Sequence, residues 1–262
     1  MSYLVVQAAE AGITYFDTAA SYGEGLSEQL LGQGLRARGG RKGLFLATKI
    51  TDRDGSLARG TIERSLKNLQ VEQVDLIHVH SLTGEEDLSQ IEAKGGVLEA
   101  LLKARDQKLT RFIGITSHLS PTAMKVALER HDFDCCQMAL NAAMANIVDS
   151  KPVTVEDHSF QSLVLPVMRR KNIGVIAMKV FARDALSGQA DATARNLLYY
   201  ALTLPVTTAV VGLPRSEHLE ENIRLVKSFQ PLQDLEMRQL SKALSTRNKK
   251  GLIEFFRDHV DA

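Results

Sequence analysis

Four side chains of complementary chemistry fall at or just after the carboxyl ends of β-rich runs: Asp17, Tyr22, Lys49 and His80. A tyrosine hydroxyl ordinarily titrates near pH 10, so it is a poor acid at neutral pH. An ammonium beside it favours the phenolate and brings that pKa down. A histidine next to the hydroxyl can orient a carbonyl and share the proton. A lysine closing an apolar strand must reach solvent or find a partner, and Asp17 is a suitable one. Together these groups have the chemical logic of carbonyl reduction. Singly they have plainer readings. Tyr22 lies in a Ser-Tyr-Gly-Glu-Gly loop, Lys49 could reach solvent, His80 and His78 could be interior histidines, and Asp17-Thr18 could cap a turn. Their recurrence at successive strand ends weighs against that.

The elements that must position them alternate seven times between strand and helix. Strands are predicted at Ile13–Ala19, Leu44–Ile50, Asp75–Ser81, Phe112–His118, Cys135–Asn141, Gly174–Phe181 and Thr207–Leu213. Helices follow at Glu28–Arg38, Ser56–Leu69, Val97–Gln107, Thr122–His131, Gln161–Lys171, Ala192–Leu202 and Ser216–Phe229. Two more, near Leu235–Ser245 and Leu252–Val260, close the chain. Runs such as Leu44-Phe45-Leu46-Ala47 are apolar on both faces, as in parallel strands covered by helices. In a parallel barrel the strands' carboxyl ends form the active face. Met1–Glu10 reads as a helix, so seven strands are expected where a closed barrel needs eight. The stretch Ala142–Ser159 reads as a long irregular loop, and no linker divides residues 1–262, which are expected to form a single domain.

Composition narrows the function further. With 32 Lys+Arg against 31 Asp+Glu the net charge is +1, and the basic clusters Arg169-Arg170-Lys171 and Lys249-Lys250 are short, so no nucleic-acid partner is expected. No apolar run reaches the roughly 18 residues of a membrane span, and the first residues lack the features of a signal peptide. The two cysteines, Cys135 and Cys136, are adjacent, which excludes a disulfide framework and a four-cysteine zinc site. A soluble, cytoplasmic protein without a metal is the expectation.

The segment from Ala11 to Ala19 (Ala-Gly-Ile-Thr-Tyr-Phe-Asp-Thr-Ala), followed by Ser21-Tyr22-Gly23 and Ser27-Glu28, resembles the opening signature of the aldo-keto reductases. Thr48-Lys49, Val74 to His80, Ile113 to His118, and Val210 to Leu213 leading to Glu220-Glu221-Asn222 match that family in type and order. The resemblance runs from about residue 8 to residue 230 and implies a (β/α)8 barrel of the TIM type, here apparently missing the N-terminal hairpin and first strand. It implies an NAD(P)H-dependent reduction of aldehydes or ketones, with NADPH the usual cofactor and NADH possible, acting on a small-molecule carbonyl. Tyr22 would be the general acid, Lys49 would lower its pKa, Asp17 would pair with Lys49, and His80 would orient the carbonyl.

The resemblance also assigns cofactor residues. Thr116 and Ser117 match the pair near the carboxamide, Gln137 its amide partner, and Glu221 and Asn222 the pair that contacts the adenine; Asn141 matches a further polar position. Met178 stands where the family usually stacks an aromatic residue on the nicotinamide, and Lys179 where it often has a small polar one. Gly212-Leu213 replaces a Lys-Ser pair for a 2′-phosphate, which leaves Arg215 and His218 as the cationic candidates there. Ser216 reads as an N-cap whose helix offers free N–H groups to phosphate. The alternative function is a non-catalytic, cofactor-binding relative or an inactive shortened form. Substrate choice would fall to the loops Leu82–Gly95 and Ala142–Ser159 and to the C-terminal tail with Phe255 and Phe256.

Overall fold

The computed structural model describes residues 2–148, 151–154, 158–182, 186, 192–213 and 216–247. Its strands are β1 (Tyr15–Asp17), β2 (Phe45–Ile50), β3 (Val74–Val79), β4 (Thr110–Ser117), β5 (Cys135–Ala139), β6 (Ala145–Val148), β7 (Lys151–Thr154), β8 (Gly174–Met178) and β9 (Thr208–Ala209). The helices are α1 (Ser2–Glu10), α2 (Leu26–Ala37), α3 (Gly55–Leu69), α4 (Glu85–Glu92), α5 (Val97–Asp106), α6 (Pro121–Arg130), α7 (Phe160–Leu163), α8 (Leu165–Lys171), α9 (Ala194–Thr203), α10 (Ser216–Lys227) and α11 (Asp234–Arg247). The main sheet runs β1-β2-β3-β4-β5-β8-β9, and β6-β7 form a separate hairpin. All seven expected strands are present, most of them shorter than the pattern suggested. The expected helix at Leu252–Val260 lies outside the described residues, as do Phe255, Phe256 and Arg215.

The chain divides into two compact units. The first takes the residues up to Ser81 together with Glu85–Ile115; the second takes Leu82–Gly84 and the residues from Thr116 onward.

In the first unit β1, β2, β3 and β4 pair in parallel. The register places Asp17 beside Ala47, Ala47 beside Leu76, and Lys49 beside His78, so these residues share one face of the sheet. Tyr15, Phe45 and Phe112 stack on one another on that face, with centroids 5.3 and 6.1 Å apart. Thr48 points the other way, where its hydroxyl meets Glu28 of α2. Helix α3 shows why the pattern works: Asp54 caps it by accepting from the Ser56 and Leu57 amides, and Ala58, Ile62, Leu66 and Leu69 bury one stripe.

In the second unit β5, β8 and β9 pair in parallel. A core of Ala142, Ala143, Leu197, Tyr200, Leu240 and Leu244 packs α9 and α11 together. Three sequence expectations are corrected here. The Ala142–Ser159 stretch contains the antiparallel β6-β7 hairpin. The Gln161–Lys171 helix is broken at Val164, because Pro166 has no N–H to continue the ladder. The Leu82–Gly95 loop carries α4, which belongs to the first unit and is too short for its 3.6-residue period to stand out.

Two helical glycines separate close packing from helix propensity. A Cβ on Gly32 of α2 would lie 2.5 Å from the Asn68 carbonyl oxygen and 2.8 Å from the Leu69 carbonyl, all of it backbone. Gly60 of α3 has nothing within 4 Å of the same position. Gly32→Ala should therefore destabilise the chain by about 1–3 kcal/mol, whereas Gly60→Ala should stabilise it by about 0.5–1 kcal/mol. Opposite shifts of the unfolding midpoint would bear this out, and a rise for both would show that α2 and α3 do not pack so closely.

Candidate active site

Lys49 ends β2 with a side chain only 1% exposed, yet it carries a charge. Burying an unpaired ammonium is prohibitive, so each of its donors needs an acceptor. Asp17 at the end of β1 forms an ion pair with it, the Thr18 carbonyl accepts at 2.7 Å, and the Tyr22 hydroxyl oxygen lies 3.3 Å away. The ammonium also sits 4.7 Å from the centre of the Tyr22 ring. Burial alone would push the Lys49 pKa down; Asp17 and then Tyr22 outweigh it and hold the pKa above its ordinary 10.5. The attraction is mutual, so the same ammonium favours the Tyr22 phenolate. His80, just past β3, meets the Tyr22 ring edge-on with centroids 5.7 Å apart. The first unit thus brings together all four residues expected at the strand ends.

The loop carrying Tyr22 is fixed from behind. The Thr18 and Ala20 amides extend the β1–β2 ladder by donating to Ala47 and Lys49 carbonyls, and the Thr18 hydroxyl donates to Ser27. Gly25 adopts φ 89°, a conformation that favours glycine, and a Cβ there would stand 2.9 Å from the Asn68 amide nitrogen, which would have to shift. Glu28 is buried. Its carboxylate accepts from the Thr48 hydroxyl at 2.7 Å and from the Asn68 amide at 3.1 Å, tying α2 to β2 beside Lys49 and to α3. Ser27-Glu28 and Thr48 belong to the motif segments, but their sequence does not reveal this role. Asn68, forty residues away, has no sequence signal at all.

His78 is fully buried beside Lys49 in the register, and neither ring nitrogen has a hydrogen-bond partner among the described residues. Burial above all, with Lys49 and His80 adding to it, holds its pKa well below 6.5, so the ring is neutral.

The expected cofactor residues lie in the second unit. Thr116 and Gln137 are buried, and the Gln137 amide donates to the Met178 sulfur at 3.7 Å while its oxygen has no partner among the described residues. Such an orphaned acceptor suits an amide N–H of the kind a nicotinamide carboxamide presents. Ser117 is different: its hydroxyl donates to the Leu82 carbonyl at 2.7 Å and accepts from the Leu119 and Ser120 amides, which uses its full capacity. Asn141 and Met178 are buried, and Lys179 takes φ 56° directly after β8. Gly212 is exposed and Leu213 half-buried ahead of α10. Ser216 is the first residue of α10 rather than its cap, His218 lies in that first turn, and Glu221 and Asn222 follow in the second. Among the described residues no cluster of His, Cys, Asp and Glu could hold a metal, and no helix is long and apolar enough to cross a membrane.

Known proteins resemble the chain in sequence and in fold. The sequence model of the Aldo/keto reductase family matches residues 3–197. The L-galactose dehydrogenase of Arabidopsis thaliana is 28% identical, over 87% of this chain and 78% of that protein. The NADP(+) aldo-keto reductase yakc of Schizosaccharomyces pombe is 26% identical, over 71% of this chain and 53% of that one. The chain thus spans only about half the length of the second relative. Among solved structures, the holo form of an aldo-keto reductase from Bacillus halodurans superposes with a TM-score of 0.72 at 22% identity, covering 92% of this chain and 86% of the other. A putative 2,5-diketo-D-gluconic acid reductase B gives 0.73 at 20%, covering 95% and 86%. At that identity the superpositions establish the fold class, the TIM-type (β/α)8 barrel.

His78 links stability to pH. In the unfolded chain its ring takes up a proton near pH 6.5, but in the fold only well below that. The unfolded chain therefore binds more protons as the pH falls below about 6.5, and this residue alone lowers stability by up to about 1.4 kcal/mol per pH unit down to the folded pKa. Urea unfolding at pH 7.5 and 5.5 should show a smaller acid loss for His78→Leu than for the parent. Equal losses would mean that the buried ring does not stay neutral.

Proposed function

The chain belongs to the aldo/keto reductase family, and from that premise we propose that it reduces an aldehyde or ketone to the alcohol with NAD(P)H, using Tyr22 as general acid. The observation that carries this reading is the buried Lys49 ammonium shared among Asp17, the Thr18 carbonyl and the Tyr22 hydroxyl.

The nicotinamide, when bound, supplies the hydride. Thr116, Gln137, Met178 and Lys179 would hold its ring end; Gly212, Leu213, Arg215, His218, Glu221 and Asn222 would hold the adenosine end. The unpartnered Gln137 oxygen supports the first set. Ser117, already saturated, would shape the turn before α6 rather than bind the carboxamide.

The remaining work belongs to the first unit. As negative charge builds on the carbonyl oxygen, the Tyr22 hydroxyl donates its proton there. The phenolate left behind is stabilised by Lys49, whose charge Asp17 maintains. His80, edge-on to the tyrosine ring, orients the carbonyl toward the hydroxyl. In the reverse direction the phenolate takes the proton from an alcohol. That reversibility is consistent with relatives named both as dehydrogenase and as reductase. NADPH is the favoured cofactor, in keeping with the NADP(+) in the name of the fission-yeast relative.

The test is steady-state oxidation of NADPH and NADH with a panel of small aldehydes and ketones. Tyr22→Phe should lower kcat by about 10²–10⁴-fold, with the cofactor dissociation constant little changed. A Tyr22→Phe protein as active as the parent would overturn the acid assignment. No turnover by the parent across the panel would overturn the proposed activity.

A further inference from the structure

The chemistry assigned above asks His80 to hold a carbonyl in line with the Tyr22 hydroxyl, but His80 lies beyond the end of β3, where the regular ladder stops. Its amide still donates to the Ile50 carbonyl at 2.9 Å. The next residue, Ser81, turns into the left-handed region at φ 56°, a conformation that costs a non-glycine residue free energy and persists only when its surroundings enforce it.

Arg53 enforces it. Its terminal nitrogen Nη2 donates both to the His80 carbonyl at 2.9 Å and to the Ser81 carbonyl at 3.2 Å, so the turn at Ser81 converges two successive carbonyls on one N–H group. Its other nitrogen, Nη1, donates to the Thr51 carbonyl at 3.1 Å, tying the end of β2 into the same cluster. The guanidinium is held in turn by Asp87 of α4, through Nε at 2.6 Å and Nη2 at 2.9 Å. This is the two-pronged fork that arginine forms with a carboxylate and that lysine cannot reproduce. The two side chains are 18% and 15% exposed, so the pair is shielded from the screening that weakens surface ion pairs. The Arg53 carbonyl also accepts from the Val97 amide at 2.8 Å, which anchors its backbone to the start of α5.

We infer that the Arg53–Asp87 pair is a positioning device for the proposed carbonyl reduction: it fixes the backbone of His80 and Ser81, and through it the aim of the His80 ring at the substrate carbonyl. The inference rests on the assignment of His80 to that carbonyl. Neither residue touches the reacting atoms by this account, and both act through His80. Asp87 lies on α4, in the Leu82–Gly95 stretch expected to meet substrate, so the same pair sets one wall of the site relative to its histidine.

A double-mutant cycle on the full chain tests it, with kcat, KM and the cofactor dissociation constant measured for each variant. Arg53→Met should fold, bind cofactor as the parent does and lose about ten- to a hundredfold in kcat. Arg53→Lys, which keeps the charge but not the fork, should recover only part of that loss. In a His80→Gln background Arg53→Met should cost almost nothing further, because the ring it aims is gone. Losses that multiply in the double variant, or an unchanged kcat in Arg53→Met, would overturn the inference. A readout without turnover separates this from failure of the proposed activity. In chain labelled with ¹³C-histidine, the His80 ring signal should be single in the parent and displaced or broadened in Arg53→Met. If the parent reduces no carbonyl, a displaced signal still supports the positioning role while the activity fails; a superimposable signal overturns the role.

Discussion

A charged lysine side chain enclosed by the protein is the constraint on which the rest of the first unit depends. The Lys49 ammonium brings three donors out of water, and the fold supplies a carboxylate, a backbone carbonyl and a phenol oxygen to meet them. Those acceptors come from the end of β1 and the loop after it, so the β1–β2 register must be right to within one residue. A slip by one would turn Lys49 toward α2 and Thr48 toward the face that carries Asp17 and His78. The ladder contacts of Thr18 and Ala20, the Thr18–Ser27 hydrogen bond and the Glu28–Thr48–Asn68 cluster all hold that register and the loop bearing Tyr22.

Seen this way, the site is a set of polar groups satisfied in layers. Asp17 neutralises Lys49, Lys49 conditions Tyr22, and Tyr22 packs against His80, whose backbone is clasped by Arg53 and Asp87. Buried groups without a partner among the described residues include the neutral ring of His78 and the Gln137 oxygen, as well as one carboxylate oxygen of Asp17. The first burdens stability at acid pH. The second lies where an amide-bearing ligand would satisfy it.

Much of this was legible in the sequence, for identifiable reasons. Strictly alternating β-rich and amphipathic runs set the seven strands, because each strand of a covered parallel sheet reads as a short apolar run. The β6-β7 hairpin was not legible: Ala145–Val148 and Lys151–Thr154 are short and carry no Asn-Gly or Asp-Gly turn signal between them. The break at Pro166 was available in principle, since proline rarely continues a helix. The clustering of the four residues at the strand ends was legible because a buried Lys there needs an anionic partner, which Asp17 could supply. Arg53, Asp87 and Asn68 were not, because their partners lie about thirty to forty residues away and only the folded chain brings them together. Ser117 matched the family pattern by position, yet its hydrogen bonds are spent on the turn before α6, which only coordinates reveal.

The proposed chemistry turns on the Lys49 ammonium stabilising the Tyr22 phenolate. The most direct measurement is the titration of Tyr22 itself, followed through the ring Cζ signal of ¹³C-tyrosine-labelled chain in the parent and in Lys49→Met. Tyr22 should titrate below the ordinary tyrosine value of about 10 in the parent, and at or above it once the ammonium is removed. The same pKa in both proteins would contradict that stabilisation.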